Sequence, residues 1–194
     1  MATVNLHPSS TVSNDWNTVY PSAPLGSAHG NLADSGDLTY ISTPDQNDTC
    51  ILQLDDYTSG GTITSIRFYI RGVKFNTRGG DTDIQVKIEN SGGTALYSEN
   101  VTLNFTSGYA PEDHYGTART TSDGSSAWTD SDLDGLRLNI NTSPEDPNMV
   151  SQARVFKANI EVTYTPDGYG NEVIGVSSIE EVNGTANVEE VIGV

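Results

Sequence analysis

The chain is poor in several things, and each shortage excludes something. It has one cysteine, Cys50, among 194 residues. No internal disulfide framework can staple it, and a single thiol in such a chain is expected to be buried and inert. Cations are scarce: 9 Lys and Arg stand against 26 Asp and Glu, for a formal charge of −17. A surface of that sign repels phosphate backbones, which argues against nucleic-acid binding. It favours solubility and suits a basic partner surface or bound cations. No run approaches the ~20 apolar residues of a membrane helix, so no membrane span is expected. The opening "MATVNLHPSS" has neither the basic stretch nor the apolar core of a secretory signal, so synthesis in a cytoplasm is expected. Catalytic signatures are missing too. There is no GxSxG, no GxxxxGK[ST], no GxGxxG opening a helix and no HxH or HExxH. The three histidines, His7, His29 and His114, are scattered.

Strong helix formers such as Leu, Lys, Arg and Met are sparse, while Gly, Thr, Ser, Asn and Asp abound. That composition suits strands joined by many turns. Several segments alternate with the period of two that marks a half-buried strand. "SIRFYIRG" sets Ile66, Phe68 and Ile70 against Arg67, Tyr69 and Arg71. "DIQVKIE" sets Ile84, Val86 and Ile88 against Gln85, Lys87 and Glu89. "NVTLNF" offers Val101, Leu103 and Phe105; "LRLNI" offers Leu136, Leu138 and Ile140. "VFKANIEVTY" offers Phe156, Ala158, Ile160, Val162 and Tyr164 on one face. "ATVNLH", "LTYIST" and "TCILQL" are weaker candidates. Breaks such as "TSGGT", "NSGGT" and "TSDGSS" are turn chemistry. Helix is expected only as single turns, around 126–132 and 145–153.

About eight antiparallel strands with one apolar face each must bury those faces against one another. The expected fold is all-β, a jelly roll or related β-sandwich spanning 1–165. A linker, 166–172, follows. Residues 173–194 then form a tail in which Gly175, Gly184 and Gly193 recur every nine residues. Two units and a fragment are too few to bury a core alone. The tail therefore folds back on its own domain or docks elsewhere through Val173, Ile174, Val176, Ile179, Val182, Val188, Val191 and Ile192.

Other candidates are weighed against plainer readings. "DSDLDG" places Asp130, Asp132 and Asp134 at the alternate positions that begin a calcium loop, with Gly135 at the bend. Its twelfth position is Asn141 rather than a bidentate Glu, so the alternatives are an acidic turn or a calcium site outside the EF-hand class. His114, beside Glu112 and Asp113, has the best acid–base surroundings in a long irregular segment. Trp128, Tyr109 and Tyr115 are candidate platforms for sugar rings. Against that, Trp16 and Trp128 would plug the ends of a sandwich.

Four stretches carry a resemblance: "WNTVYPSAPLGSAHGNLADSGDLTYIST", "CILQLDDYTSGGTITSIRFYIRGV", "AWTDSDLDGLRLNI" and "ARVFKANIEVTY". With the "VIGVSSIEEVNGTANVEEVIGV" ending, the chain resembles β-sandwich virion proteins of tailed bacteriophages and their marine relatives. The resemblance covers most of the chain and carries over no catalytic residue. It implies a non-enzymatic structural protein of the virion, above all a capsid decoration (cement) protein. Such a protein would be oligomeric, as a trimer for example, and would bind the phage major capsid protein or another virion protein. The alternative is a carbohydrate-binding module or receptor-binding part of a phage tail or fibre. No cofactor is expected beyond the calcium alternative.

Overall fold

Two thirteen-residue strands, Thr62–Lys74 and Ala153–Thr165, pair antiparallel along nearly their whole length and form the spine of the molecule. The computed structural model describes residues 1–20, 27–33, 37–45, 47–75, 82–106, 109–142 and 153–167. The expected tail, 173–194, and most of the linker lie outside them. In chain order the elements are β1 (Ala2–Leu6), β2 (Pro8–Asn14), β3 (Thr18–Tyr20), α1 (Ala28–Ala33), β4 (Tyr40–Thr43) and β5 (Thr49–Leu54). Then come β6 (Thr62–Lys74), β7 (Thr82–Glu89), β8 (Ala95–Leu103), β9 (Glu112–Tyr115), α2 (Asp130–Leu133), β10 (Arg137–Thr142) and β11 (Ala153–Thr165).

The strands form two antiparallel sheets. One has the order β3-β4-β11-β6-β9, with β1 also on β11; the other is β2-β5-β10-β7-β8. From β4 onward the winding is a jelly roll. The sets β4-β11-β6-β9 and β5-β10-β7-β8 face each other, and every connection but the β7–β8 hairpin changes sheet. The first three strands extend the two sheets. The fold class read from the periodicity is thus the one observed. Three strands escaped that reading: β2 (PSSTVSN), β3 (TVY) and β9 (EDHY). All three lie at sheet edges, where a polar strand loses nothing by facing water on both sides.

The core lies between the sheets. Ile66, Phe68 and Ile70 of β6 join one cluster with Ile84, Val86 and Ile88 of β7 and with Leu52, Leu138 and Ile140 from β5 and β10 of the same sheet as β7. Each such side chain contributes about 1.5–3 kcal/mol on burial. Cys50 is buried here, and burial pushes its thiol up to about 12. Trp16 and Trp128 close the sandwich, and each indole N–H donates to a backbone carbonyl, of Asp48 at 3.2 Å and Arg119 at 2.9 Å.

Two assignments of facing differ from the alternation. The alternation groups Phe105 with Val101 and Leu103, but β8 ends at Leu103 and Phe105 is exposed. The alternation puts Phe156 with Ala158 and Ile160. Pairing with β6 slips between Val155 and Lys157, and the bulge turns Phe156 to the outside of the sheet. Val155 and Ala158 take the core side. A bulge inserts one unpaired residue and reverses the facing beyond it. Residues 130–133 form a short helix that overlaps the end of the expected 126–132 turn, the other expected turn, 145–153, lies outside the described residues except for Ala153 in β11, and α1 has no counterpart in the sequence reading. No helix among the described residues is long and apolar enough to cross a membrane.

Candidate functional site

The outer face of the six-stranded sheet is where aromatic and charged side chains gather. Alternation along β6 points Arg67, Tyr69 and Arg71 outward. Pairing sets Arg67 opposite Glu161, Tyr69 opposite Asn159, and Arg71 opposite Lys157 on β11. On its other side β6 meets β9, with Tyr115 beside Tyr69 and Asp113 beside Arg71. The Tyr69 and Tyr115 rings lie 5.1 Å apart, and Tyr115 is 48% exposed. The Arg67 guanidinium sits 4.4 Å above the Tyr115 ring and donates to Glu161 at 2.6 Å.

Arg71 organises the polar half of the face. Its Nε and Nη2 donate to the two carboxylate oxygens of Asp37 at 2.7 and 2.8 Å, and Nη1 donates to Asp113 at 2.7 Å. The Tyr69 hydroxyl donates to the same Asp113 oxygen at 2.9 Å. Hydrogen bonds from Arg71 hold both carboxyls below the usual carboxylate range. Burial, with Asp113 beside it, pushes the Tyr69 phenol up. Asn159 is 2% exposed, and its side-chain carbonyl oxygen has no hydrogen-bond partner.

A second aromatic group continues the face toward β3. Tyr20 and Tyr40 are paired in register, with rings stacked at 5.1 Å, and Tyr40 packs on Phe156 at 5.5 Å. Arg154 lies 4.5 Å above the Tyr40 ring and also covers Phe75. Phe75 in turn packs on Tyr109 at 4.4 Å, and Tyr109 meets Phe105 edge-on at 5.6 Å. Val73 and Phe156 are buried yet stand outside the inter-sheet core. Phe156 backs the Tyr40 ring, and Val73 stands opposite Arg154 on the same side of the sheet. Tyr109 has φ of 60°, a costly conformation for a bulky residue, and holds its ring 42% exposed.

Of the candidates named from sequence, Tyr109 and Tyr115 therefore lie on one face. Trp128 does not join them. It is 4% exposed and packs on Tyr97 at 6.1 Å, which leaves its ring no face for a ligand. Asp130 and Asp134 flank a helical turn, and Asp132 accepts from the Thr129 backbone N–H at 2.8 Å and hydroxyl at 2.7 Å. That is a helix cap. No group of three or more His, Cys, Asp or Glu placed to hold a metal occurs among the described residues. His114 lies on the side of β9 that faces inward with Ile70; half-burial lowers its pKa despite Glu112 and Asp113. The tail residues from Val173 to Ile192 fall outside the described residues. Sequence reasoning did not single out Tyr20, Tyr40, Arg71, Asp37 and Asp113 as a site. Only the alternation of β6 marked Arg71 and Tyr69 as outward.

No protein-family model and no curated protein sequence matches the chain. Among solved structures, a CBM4 structure is similar at 7% identity and a TM-score of 0.40, over 64% of this chain and 83% of its own. The CBM22-1 xylan-binding domain from Paenibacillus barcinonensis is similar at 10% identity and a TM-score of 0.44, over 84% of this chain and 97% of its own. A glycoside hydrolase family 43 arabinoxylan arabinofuranohydrolase from Bacillus subtilis, in complex with cellotetraose, is similar at 10% identity and a TM-score of 0.41. There the match covers 84% of this chain and 27% of the enzyme. At these levels no residue role transfers from any of the three.

Proposed function

We propose that the chain is a non-catalytic glycan-recognition module that binds through the outer face of its six-stranded sheet. One observation carries the reading: the partly exposed Tyr69–Tyr115 pair is framed by an Arg71–Asp37–Asp113 network of fixed geometry. A sugar has an apolar C–H face and a rim of hydroxyls. Rings cover the first, and pre-oriented charged groups hold the second. The same network argues against hydrolysis at this face. A glycosidase needs one carboxyl with a raised pKa to act as acid. Both carboxyls here are lowered by Arg71.

A glycan array probed with the intact protein tests this. Binding that falls at least tenfold in Tyr115→Ala and in Asp113→Ala supports it. Absence of any array signal from folded protein refutes it. Running the array with and without chelator also decides whether the Asp130–Asp134 turn needs calcium.

The virion placement rests on the sequence resemblance. As the receptor-binding part of a phage, the module would turn this face to host-surface sugars. As a capsid decoration subunit, it would dock through residues 173–194. Pull-down by phage heads, with and without those residues, separates the two.

A further inference from the structure

We infer that the ligand is a neutral, linear glycan lying across the strands, with several sugars in contact at once. This rests on the glycan reading and adds the class and orientation of the ligand. The argument starts from register. Tyr20 stands opposite Tyr40, and the Phe156 ring packs on Tyr40. The next residue, Lys157, stands opposite Arg71, and Arg71 opposite Asp113. Those residues form one row across β3, β4, β11, β6 and β9. Four inter-strand steps of about 4.8 Å make a track of about 19 Å. An aromatic platform stands toward each end, Tyr20–Tyr40 at one and Tyr69–Tyr115 at the other. Lys157 on β11 lies between them, while Arg71 and Asp113 stand two residues along β6 and β9 from Tyr69 and Tyr115, with Asp37 held on Arg71. A single sugar ring reaches one platform only. The row runs to β3 and β9, the two ends of the sheet's strand order.

Charge selects the class. Arg67 is matched by Glu161, and Arg71 by Asp37 and Asp113. With Lys157 and Arg154 on the same face, four cations stand with these three carboxylates, so charge there is nearly balanced, and the face belongs to a molecule of net charge −17. A polyuronate or sulfated chain would be repelled at long range and would have to displace carboxylates at contact. A neutral polyol uses the paired groups as they stand, accepting from the guanidinium N–H groups and donating to the carboxylates.

The test is affinity electrophoresis of the full chain in gels containing neutral polymers (mixed-linkage glucan, xylan, mannan, amylose) or anionic ones (alginate, polygalacturonate). Calorimetry then follows with linear oligomers of the retarding polymer, from dimer to hexamer. We expect retardation only in neutral gels and affinity rising about tenfold or more with length before a plateau. Tyr20→Ala should weaken the hexamer, Tyr20→Phe should restore it, and the variants' unfolding temperatures control for folding. Retardation by the anionic polymers, affinity that is flat with length, or a hexamer indifferent to Tyr20→Ala overturns the inference while leaving glycan recognition intact. Retardation in no gel removes both.

Discussion

At the scale of single residues, Gly116 and His114 make sharp predictions. Gly116 follows β9 where its backbone N–H bonds to the Phe68 carbonyl at 3.0 Å, and a Cβ there would meet the Phe68 ring at 2.4 Å. Gly116→Ala must push that core ring aside. It should cost about 1–3 kcal/mol in denaturant unfolding, with the strain felt at the neighbouring Tyr115. His114 supplies a pH dependence. Its folded pKa lies below the usual 6.5, so the unfolded chain takes up a proton first as pH falls. Stability contributed by the neutral ring is complete above pH 6.5 and declines below it until the folded pKa is passed. Asp37 and Asp113 act in the same direction at lower pH. Their pKa values are lowered by Arg71, so their contribution is full above 3.8 and is lost as pH falls through the folded values. Thermal unfolding should therefore shift down between pH 7.5 and 5.5, and His114→Leu should flatten that part of the curve.

At the scale of elements, the strands that cross the middle of either sheet were legible, because one face of each must be apolar. Ile66, Phe68 and Ile70 announce β6 in that way, and Leu138 and Ile140 announce β10. Of the edge strands, β8 was legible through Val101 and Leu103, but β2, β3 and β9 were not; Glu112–Tyr115 pairs on one side only and obeys no alternation. The bulge at Phe156 was hidden for a different reason. A slip of one residue leaves composition unchanged, so Phe156 reads as the next core position although its ring faces Tyr40 outside. The site inherits that difficulty. Tyr20 and Phe156 are brought onto one face by β3–β4 and β4–β11 pairing, which no local pattern encodes. The bulge predicts a divided outcome for two substitutions in one strand. Ile160→Ala, at 0% exposure between the sheets, should cost about 2–5 kcal/mol and leave ligand affinity alone in whatever protein remains folded. Phe156→Ala should cost less stability and weaken oligosaccharide binding, because Tyr40 and Tyr20 lose their backing. Paired calorimetry and unfolding measurements check both.

At the scale of the whole molecule, charge dominates. A net −17 on a chain of 194 residues repels itself, and salt screens that repulsion. The unfolding midpoint should rise when ionic strength goes from about 0.01 M to about 0.15 M, over which the Debye length falls from about 30 to about 8 Å. Binding of a neutral glycan should change little over the same range. The pairing of β1 with β11 has a different reach. Ala2 lies opposite Tyr164, so the sandwich opens and closes its path at one corner. A short peptide could splice that corner shut, and the exposed turn near Gly124 could then be cut to give new ends without touching a strand. The corner is also a natural hinge point for display: a tether attached before Ala2 or after Thr165 leaves from the same place, so a surface studded with these modules by either tether would present the tyrosine track in a common orientation.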